Sequence, residues 1–175
     1  AQDLTNIIRL AKNVRKIKKI HFLIIGDGTE KGKIRNDIRK LDLNNITLLS
    51  SVDELSLMNI LVECDVGIIS LSKKLKTENI PGKLLSYCQA SLPIIASINK
   101  SRDLRRMIID SNSGLVSENG NDEKFLKNVI KLFDNPKIIN EYGVNANKLM
   151  NGYFDVKVIA NQILGHYKKK NAYIK

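Results

Sequence analysis

The sequence has little of what several common enzyme chemistries require. It contains no tryptophan, two cysteines, two histidines and three prolines in 175 residues. No group of His, Cys and acidic residues has metal-ligand spacing, and there is no Asp-x-Asp pair to bind a diphosphate through a metal ion. The G-x-x-x-x-G-K-[ST] loop and the G-x-S-x-G turn are also missing. These absences argue against a metal-dependent enzyme, a P-loop nucleotidase and a serine hydrolase.

Long apolar runs are missing as well. No run approaches the ~20 residues that a membrane-spanning helix needs, and the sequence shows no signal-peptide pattern. Cys64 and Cys88 lie apart within apolar segments, which indicates buried, reduced thiols and favours a cytoplasmic protein. The sequence begins with a helical pattern and no strand before it, so we expect it to be part of a larger protein.

Basic residues are in excess. The chain has 29 Lys and Arg against 18 Asp and Glu, a formal net charge of +11. Two explanations stay open. One is a composition biased toward Lys, Asn and Ile, and the other is a surface that attracts a nucleoside diphosphate, a lipid diphosphate or an acidic membrane. Nucleic acid is a poorer candidate, because the lysines are spread over several elements and no nucleic-acid-binding motif accompanies them.

Short apolar segments alternate with amphipathic ones along the chain. The strand-like segments are 18–25, 45–49, 64–71, 92–97 and 113–117. Apolar residues at helical spacing mark the segments between them. The alternation predicts an α/β domain with a Rossmann-like parallel sheet and helices on both faces. We assign residues 1–167 to this domain and 168–175 to a frayed basic tail.

Within this pattern some packing can be predicted. We expect the first strand, 18–25, to be buried. We expect the helix after the second strand to bury four apolar residues: Leu55, Met58, Leu61 and Val62. The last two helices are expected from Pro136 onward and from Asp155 to Tyr167.

The most informative stretch is 78–90, between two of the buried strands. Pro81 fits the first turn of a helix, where its missing N–H costs nothing, and Gly82 lets a ligand approach the backbone. A helix N-terminus beside the carboxyl end of a strand favours an anion such as phosphate, because N–H groups and the helix dipole point at it. Lys83 adds a positive charge. The turn Gly26-Asp27-Gly28 is expected at the same edge of the sheet.

Each signal also has a simpler explanation. Glu78 can be a solvated surface charge, Lys83 a helix-surface lysine, Gly82 a turn glycine and 99–103 a helix cap. A ligand site is favoured because these residues coincide at one helix N-terminus between two buried strands. The two histidines, His21 and His166, have no such support.

The segments Asn-Ile-Pro-Gly-Lys-Leu-Leu-Ser-Tyr at 79–87 and Ala-Ser-Leu-Pro-Ile-Ile-Ala-Ser-Ile-Asn at 90–99 resemble a known family. They are similar to the C-terminal domains of retaining glycosyltransferases of family 4, which have the two-domain GT-B fold. The fucosaminyltransferase-like enzymes of O-antigen and capsule synthesis are the most similar group. The family motif is a Glu followed eight positions later by a second Glu. Glu78 stands at the first position and Ser86 at the second, where Glu is usual.

The resemblance implies a donor site. Glu78 would contact the donor sugar or its phosphate side, with Lys83 acting beside it in catalysis. The sugar and diphosphate would meet the segment Asn79, Ile80, Pro81, Gly82 and Leu84. Ser86 is too short to bind the ribose as the usual Glu does, and is expected to offer one hydrogen bond. Val52 would lie beside the base, and the other wall of the nucleotide cleft would be Gly26, Asp27 and Gly28.

The resemblance also implies a reaction. It predicts transfer of a sugar, with retention of configuration, from a nucleoside-diphosphate sugar, UDP above others, to a lipid-linked or polysaccharide acceptor at the cytoplasmic side of a membrane. No metal or other cofactor is expected. In such enzymes an N-terminal domain binds the acceptor, and a basic pair follows the first strand of the C-terminal domain. Both would precede Ala1, so we expect the chain alone to bind donor weakly and to be inactive.

Two alternatives stay open. One is a nucleotide-sugar epimerase of the same two-domain fold, which would show His and acidic residues in the cleft. The other is a non-catalytic α/β nucleotide-binding module.

Overall fold

The structure of the chain is a computed structural model that describes residues 2–100 and 102–172. Helices and strands alternate along it. In order they are α1 (Leu4–Val14), β1 (Phe22–Ile25), α2 (Lys31–Lys40), β2 (Ile46–Leu49), α3 (Glu54–Leu61), β3 (Gly67–Ser70), α4 (Lys83–Gln89), β4 (Ile94–Ile98), α5 (Arg102–Asp110), β5 (Gly114–Glu118), α6 (Asp122–Phe133), α7 (Pro136–Tyr153) and α8 (Val156–Ala172). None of the helices in these residues is long and apolar enough to cross a membrane.

The strands form two parallel groups. One group pairs β1 with β2. The other has the order β3-β4-β5, with Gly67 opposite Ile94 and Ile94 opposite Gly114. Each pair is parallel because a helix carries the chain back to the same edge before the next strand begins. Within the described residues no ladder joins β1 to β3.

Helices cover both faces of the strands. On β4, Ile95 packs with α1 and α6, whereas Ile94 and Ala96 pack with α4, α5 and α7. This division follows from the two-residue repeat of a strand, which sends alternate side chains to opposite faces. The core that contains Ile95 also includes Phe22 of β1 and Ile46 of β2, so α1 and α6 hold the two groups of strands together.

The predicted fold class is confirmed: the chain is an α/β domain with parallel strands flanked by helices on both faces. The first strand, however, is shorter and less buried than predicted. It spans four residues, of which only Phe22 is buried, while Leu23 is 38% exposed. The reason is that, among the residues the structure describes, β1 pairs with a strand on one side only.

The prediction for α3 was wrong in two of its four residues. Leu61 is buried and Met58 is partly buried. Leu55 and Val62 are instead 74% and 60% exposed. The apolar stripe of this helix is therefore only partly covered by its neighbours.

The last helix extends further than predicted. It runs to Ala172, five residues past Tyr167, through the segment that we had expected to be frayed. The rest of the predicted basic tail, 173–175, lies outside the described residues.

Candidate functional site

The turn Gly26-Asp27-Gly28 follows β1 directly. Gly26 has φ +145°, a region that side-chain-bearing residues rarely adopt, so glycine is required here. Its N–H still donates to the carbonyl of Leu49, at 3.2 Å, which extends the β1–β2 ladder by one bond. The chain therefore leaves the sheet abruptly after this bond, and Asp27 and Gly28 are exposed at the carboxyl end of β1.

Asp27 connects this turn to two other elements. Its carboxylate accepts hydrogen bonds from Lys31 Nζ at 2.5 Å and from the backbone N–H of Ser51 at 2.8 Å, and a third from the Ser51 hydroxyl. These hydrogen bonds hold the pKa of Asp27 well below its usual range, and the bond from Lys31 has the largest effect. Asp27 therefore fixes the start of α2 against the loop after β2, where Val52 is exposed.

The segment before α4 differs in one respect from the prediction. The helix begins at Lys83, so Pro81 lies two residues before it and not in its first turn. The carbonyls of Pro81 and Gly82 accept from the N–H groups of Leu84 and Leu85, at 2.9 and 3.0 Å. Because these bonds span three residues, a 3₁₀-type turn precedes the helix.

Gly82 leaves open space at this turn. Its backbone is helical, with φ −55° and ψ −29°. A Cβ added to it would meet no heavy atom within 4 Å. A Cβ would therefore fit the fold at Gly82, and a side chain here would occupy space in front of the helix that is otherwise accessible to a ligand.

Lys83 is the cation at the start of α4, and its position is fixed by burial and a hydrogen bond. Its side chain is partly buried, and Nζ donates to Gln2 Oε1 at 2.6 Å. Burial lowers the pKa of the Lys83 ammonium. One turn further along α4, Ser86 is partly buried, whereas the side chain of Leu84 is fully buried in the core. Leu84 can therefore meet a ligand only through its backbone.

Glu78 lies in a different environment from Lys83. Its two carboxylate oxygens accept from the backbone N–H of Arg102, at 3.2 and 3.1 Å, so it caps the start of α5. It lines a depression of about 280 Å³. The other residues of this depression, mostly lysines and polar groups, are Lys73, Leu75, Lys76, Thr77, Asn99, Lys100 and Glu118.

Asn99 is a residue of this depression to which the sequence assigned only a capping role. It is 5% exposed, and its Nδ2 donates to the carbonyl of Leu75 at 2.7 Å. Its Oδ1 is buried without a hydrogen-bond partner among the described residues. A buried acceptor without a partner is costly, so this atom is suited to receive a ligand hydroxyl. In the sequence, the signal for Asn99 as a site residue was its position directly after β4, next to the loop after β3.

The candidate residues thus do not line a single cavity. A second cavity, of about 1050 Å³, lies between β1 and β3, and five candidates line it: Gly26, Asp27, Gly28, Lys83 and Ser86. Glu78 lines the smaller depression instead. Neither cavity is lined by the remaining candidates, Val52, Asn79, Ile80, Pro81, Gly82 and Leu84. No group of three or more His, Cys, Asp or Glu suited to a metal ion occurs in the part of the chain that the structure describes.

A protein-family model matches most of the chain. The family model "Glycosyl transferases group 1" matches residues 1–149. No curated protein matched the chain.

Solved structures share the fold. A TarM variant from S. aureus, in complex with fondaparinux, alpha-GlcNAc-glycerol and UDP, is 20% identical with a TM-score of 0.80, and the match covers 94% of this chain and 32% of TarM. Sucrose-phosphate synthase from Thermosynechococcus elongatus is 17% identical with a TM-score of 0.76, covering 96% and 42%. WaaG, a glycosyltransferase involved in lipopolysaccharide biosynthesis, is 16% identical with a TM-score of 0.70, covering 86% and 39%. The chain therefore spans less than half the length of these proteins.

Proposed function

The chain belongs to the glycosyl transferases group 1 family, and we propose that it is the donor-binding domain of a retaining glycosyltransferase that takes a sugar from a nucleoside-diphosphate donor. The observation that carries the proposal is the family match over residues 1–149, which contain all the candidate site residues. The TarM variant, which shares the fold, was crystallised with UDP, and this supports UDP as the carrier. The finer assignment to family 4 and its fucosaminyltransferase-like group rests on the motif around Glu78.

The proposed donor lies across the carboxyl ends of β1, β3 and β4. Open α/β sheets place ligands at such an edge. The nucleotide would lie toward Gly26-Asp27-Gly28 and Val52, and the diphosphate in front of Gly82 and Lys83. The sugar would then reach the depression with Glu78 and Asn99, where a carboxylate and an unsatisfied amide oxygen can accept its hydroxyl hydrogens.

In this arrangement the protein acts by positioning and by electrostatics. Negative charge develops on the diphosphate as the bond to the sugar breaks, and the ammonium of Lys83 stabilises that charge. Because Lys83 is partly buried, its field is screened less by water than that of an exposed lysine. Glu78 and Asn99 hold the sugar so that the acceptor hydroxyl bonds on the face that the diphosphate leaves, which retains the configuration, and the hydroxyl proton passes to the departing diphosphate. No step of this scheme uses a metal ion.

The proposal includes the acceptor as a chemical class. We propose a lipid-linked or polysaccharide sugar, bound by a further domain, with the reaction at the cytoplasmic face of a membrane. The net charge of +11 supports attraction to anionic lipids and to the donor diphosphate. WaaG, which has the same fold, is involved in lipopolysaccharide biosynthesis. We expect this chain by itself to bind the donor weakly and to transfer no sugar.

Nucleotide titration followed by amide NMR tests the proposal. The ligands are UDP, GDP, UMP and UDP-N-acetylglucosamine, each with and without EDTA. We expect UDP to saturate the protein regardless of EDTA and to shift the amides of Gly26, Gly28, Val52 and 79–83. UDP-N-acetylglucosamine should in addition shift Asn99.

Two variants make the test specific. Gly82→Val adds a side chain that the fold accommodates but that blocks the space before α4, so it should weaken UDP binding at least about tenfold without unfolding the protein. Gly152→Val is the control, because Gly152 also has open space around its Cα and lies on a different helix, α7. Equal binding by both variants would contradict the placement of the diphosphate. Absence of nucleotide binding, both in this chain and in the longer protein, would contradict the proposed function.

A further inference from the structure

The small depression beside Glu78 has more cationic than anionic side chains. Three lysines line it, Lys73, Lys76 and Lys100, against two carboxylates, those of Glu78 and Glu118. Within the described residues none of these lysines forms an ion pair with a carboxylate. The carboxylate of Glu78 already accepts hydrogen bonds from the start of α5. The lysines are therefore available to an anion that enters the depression.

The loop after β3, which carries two of these lysines, is held in place by hydrogen bonds. The N–H of Leu75 donates to the carbonyl of Ser72 at 3.0 Å and closes a turn. Lys73 and Lys74 are the two central residues of this turn. The Nδ2 of Asn99 holds the next part of the loop, since it donates to the carbonyl of Leu75 at 2.7 Å. The lysines therefore project from a fixed backbone.

The depression also offers acceptors for hydroxyl groups. The buried Oδ1 of Asn99 has no hydrogen-bond partner among the described residues, and the carboxylate of Glu78 lines the same depression. A lysine ammonium donates but cannot accept, so the amide and the carboxylate suit hydroxyl hydrogens, whereas the lysines suit negative charge. A ligand that uses both kinds of group carries hydroxyls together with an anionic substituent.

These lysines are separate from the cation that we assign to the diphosphate. Lys83 lines the larger cavity and not this depression. Pockets for drug-sized molecules hold about 300–1,000 Å³. A depression of about 280 Å³ therefore suits one sugar ring better than a whole nucleotide. The negative charge that the three lysines meet thus belongs to the sugar.

The resemblance to fucosaminyltransferase-like enzymes leaves this substituent open. The segments that carry the resemblance are 79–87 and 90–99, and all three lysines lie outside them. The lysines therefore carry information about the sugar that those segments do not.

We propose that the sugar of the donor is acidic, so that the donor is a nucleoside-diphosphate uronic acid. Its carboxylate lies among Lys73, Lys76 and Lys100, and its hydroxyls donate to Asn99 and Glu78. The lysines outnumber the two carboxylates of the depression, so an added carboxylate is attracted overall. The inference rests on the proposed function, because it takes the depression as the sugar end of the donor site.

Titration with matched nucleotide sugars tests the inference. UDP, UDP-glucose and UDP-glucuronic acid share the nucleotide, and their binding to the 175-residue chain is followed by amide NMR. UDP-glucuronic acid should bind at least about fivefold more tightly than UDP-glucose at low ionic strength. The ratio of the two affinities should fall toward 1 in about 0.5 M NaCl, because salt screens exposed charges. UDP-glucuronic acid should in addition shift the amides of Lys76 and Lys100.

The possible failures of this test are distinguishable. Equal affinity for the two nucleotide sugars at low ionic strength, with UDP itself bound, would overturn the inference and leave the proposed function standing. If none of the three ligands binds, to this chain or to the longer protein, the proposed function fails and the inference fails with it.

Single lysine variants make the test specific. Lys76→Gln and Lys100→Gln each remove one cation from the depression and should lower the affinity ratio about two- to threefold, with UDP binding unchanged. Lys74→Gln is the matched control, since it removes the same charge from the same loop while Lys74 does not line the depression. The ratio should be unchanged in this control. An equal loss in Lys74→Gln would attribute the preference to net charge and overturn the inference.

Discussion

Both carboxylate oxygens of Glu78 lie within hydrogen-bond distance of the backbone N–H of Arg102, at 3.2 and 3.1 Å. This contact fixes the loop after β3 to the first turn of α5 and gives Glu78 a structural role that needs no ligand. The same carboxylate lines the depression that contains the buried Asn99. Glu78 can therefore hold the edge of this depression in place and, in the proposed donor site, also face the sugar.

Substitution of Glu78 separates these two roles. Glu78→Ala removes the acceptor at the start of α5 and should lower the free energy of unfolding by about 1 kcal/mol, as the loss of a helix cap does. Glu78→Gln keeps an oxygen acceptor and should cost less. Both should weaken binding of UDP-N-acetylglucosamine more than binding of UDP. Urea unfolding and nucleotide titration of the same samples provide the measurement.

Glu123→Ala is the matched control, since Glu123 is an exposed acid paired with Lys127 on α6. Its effect on stability should be small, because exposed ion pairs contribute little. If Glu78→Gln binds both nucleotides as the unchanged protein does, Glu78 has only the structural role.

Gly67 is predicted to tolerate no side chain. A Cβ at this position would lie 2.4 Å from Cδ2 of Tyr87, whose ring lies against β3. Gly67→Ala should therefore cost about 1–3 kcal/mol in the free energy of unfolding, the usual range for overpacking. Gly82→Ala, where the added atom meets nothing within 4 Å, should be neutral or slightly stabilising. Equal urea midpoints for the two variants would show that the ring of Tyr87 does not lie against Gly67.

Tyr87 should make stability fall at alkaline pH. Burial raises the pKa of its hydroxyl to about 12, above the ~10 of an unfolded tyrosine. The folded state therefore keeps a proton that the unfolded state loses, and stability declines as the pH rises from about 10 to 12. The difference in free energy of unfolding between the unchanged protein and Tyr87→Phe isolates this effect from that of the lysines. It should shrink over this range, and a difference that is constant from pH 8 to 11 would contradict the prediction.

Asp27 should contribute stability that is lost in acid. Its hydrogen bonds to Lys31 and Ser51 lower its pKa, so the folded state holds the charged carboxylate more strongly than the unfolded state does. The contribution is complete above the unfolded pKa of ~3.9 and disappears as the pH falls toward the lower, folded value. Asp27→Asn should thus be less stable than the unchanged protein at pH 6, and the two should converge below pH 3. Thermal melts of both proteins at pH 6 and below pH 3 measure this difference in stability. Asp134→Asn, which lies outside the hydrogen-bonded cluster of Asp27, is the control.

Much of the fold could be predicted because its signals are local. The order of helices and strands follows from the repeat of apolar residues, and local caps mark two of the helix starts. The helices α1 and α6 begin behind Asp3 and Asn121, whose side chains accept from the N–H three residues on. The candidate site was predicted as a set of chain segments, because strands that alternate with helices place their carboxyl ends at one edge. Val62 was mispredicted because helical spacing shows that a stripe is apolar, not that a neighbour covers it.

By itself the sequence determined the alternation of strands and helices, the glycine turn after β1 and the placement of charge and glycine at the start of α4. These depend on residues a few positions apart. Only the tertiary structure decided that Asp27 binds Ser51, that Glu78 caps α5 while Lys83 lies beside the other cavity, and that β1 and β3 face each other across a gap. Those relationships join residues that are far apart in the chain. They depend on which edges and faces meet when the core closes, and local periodicity carries no information about that choice.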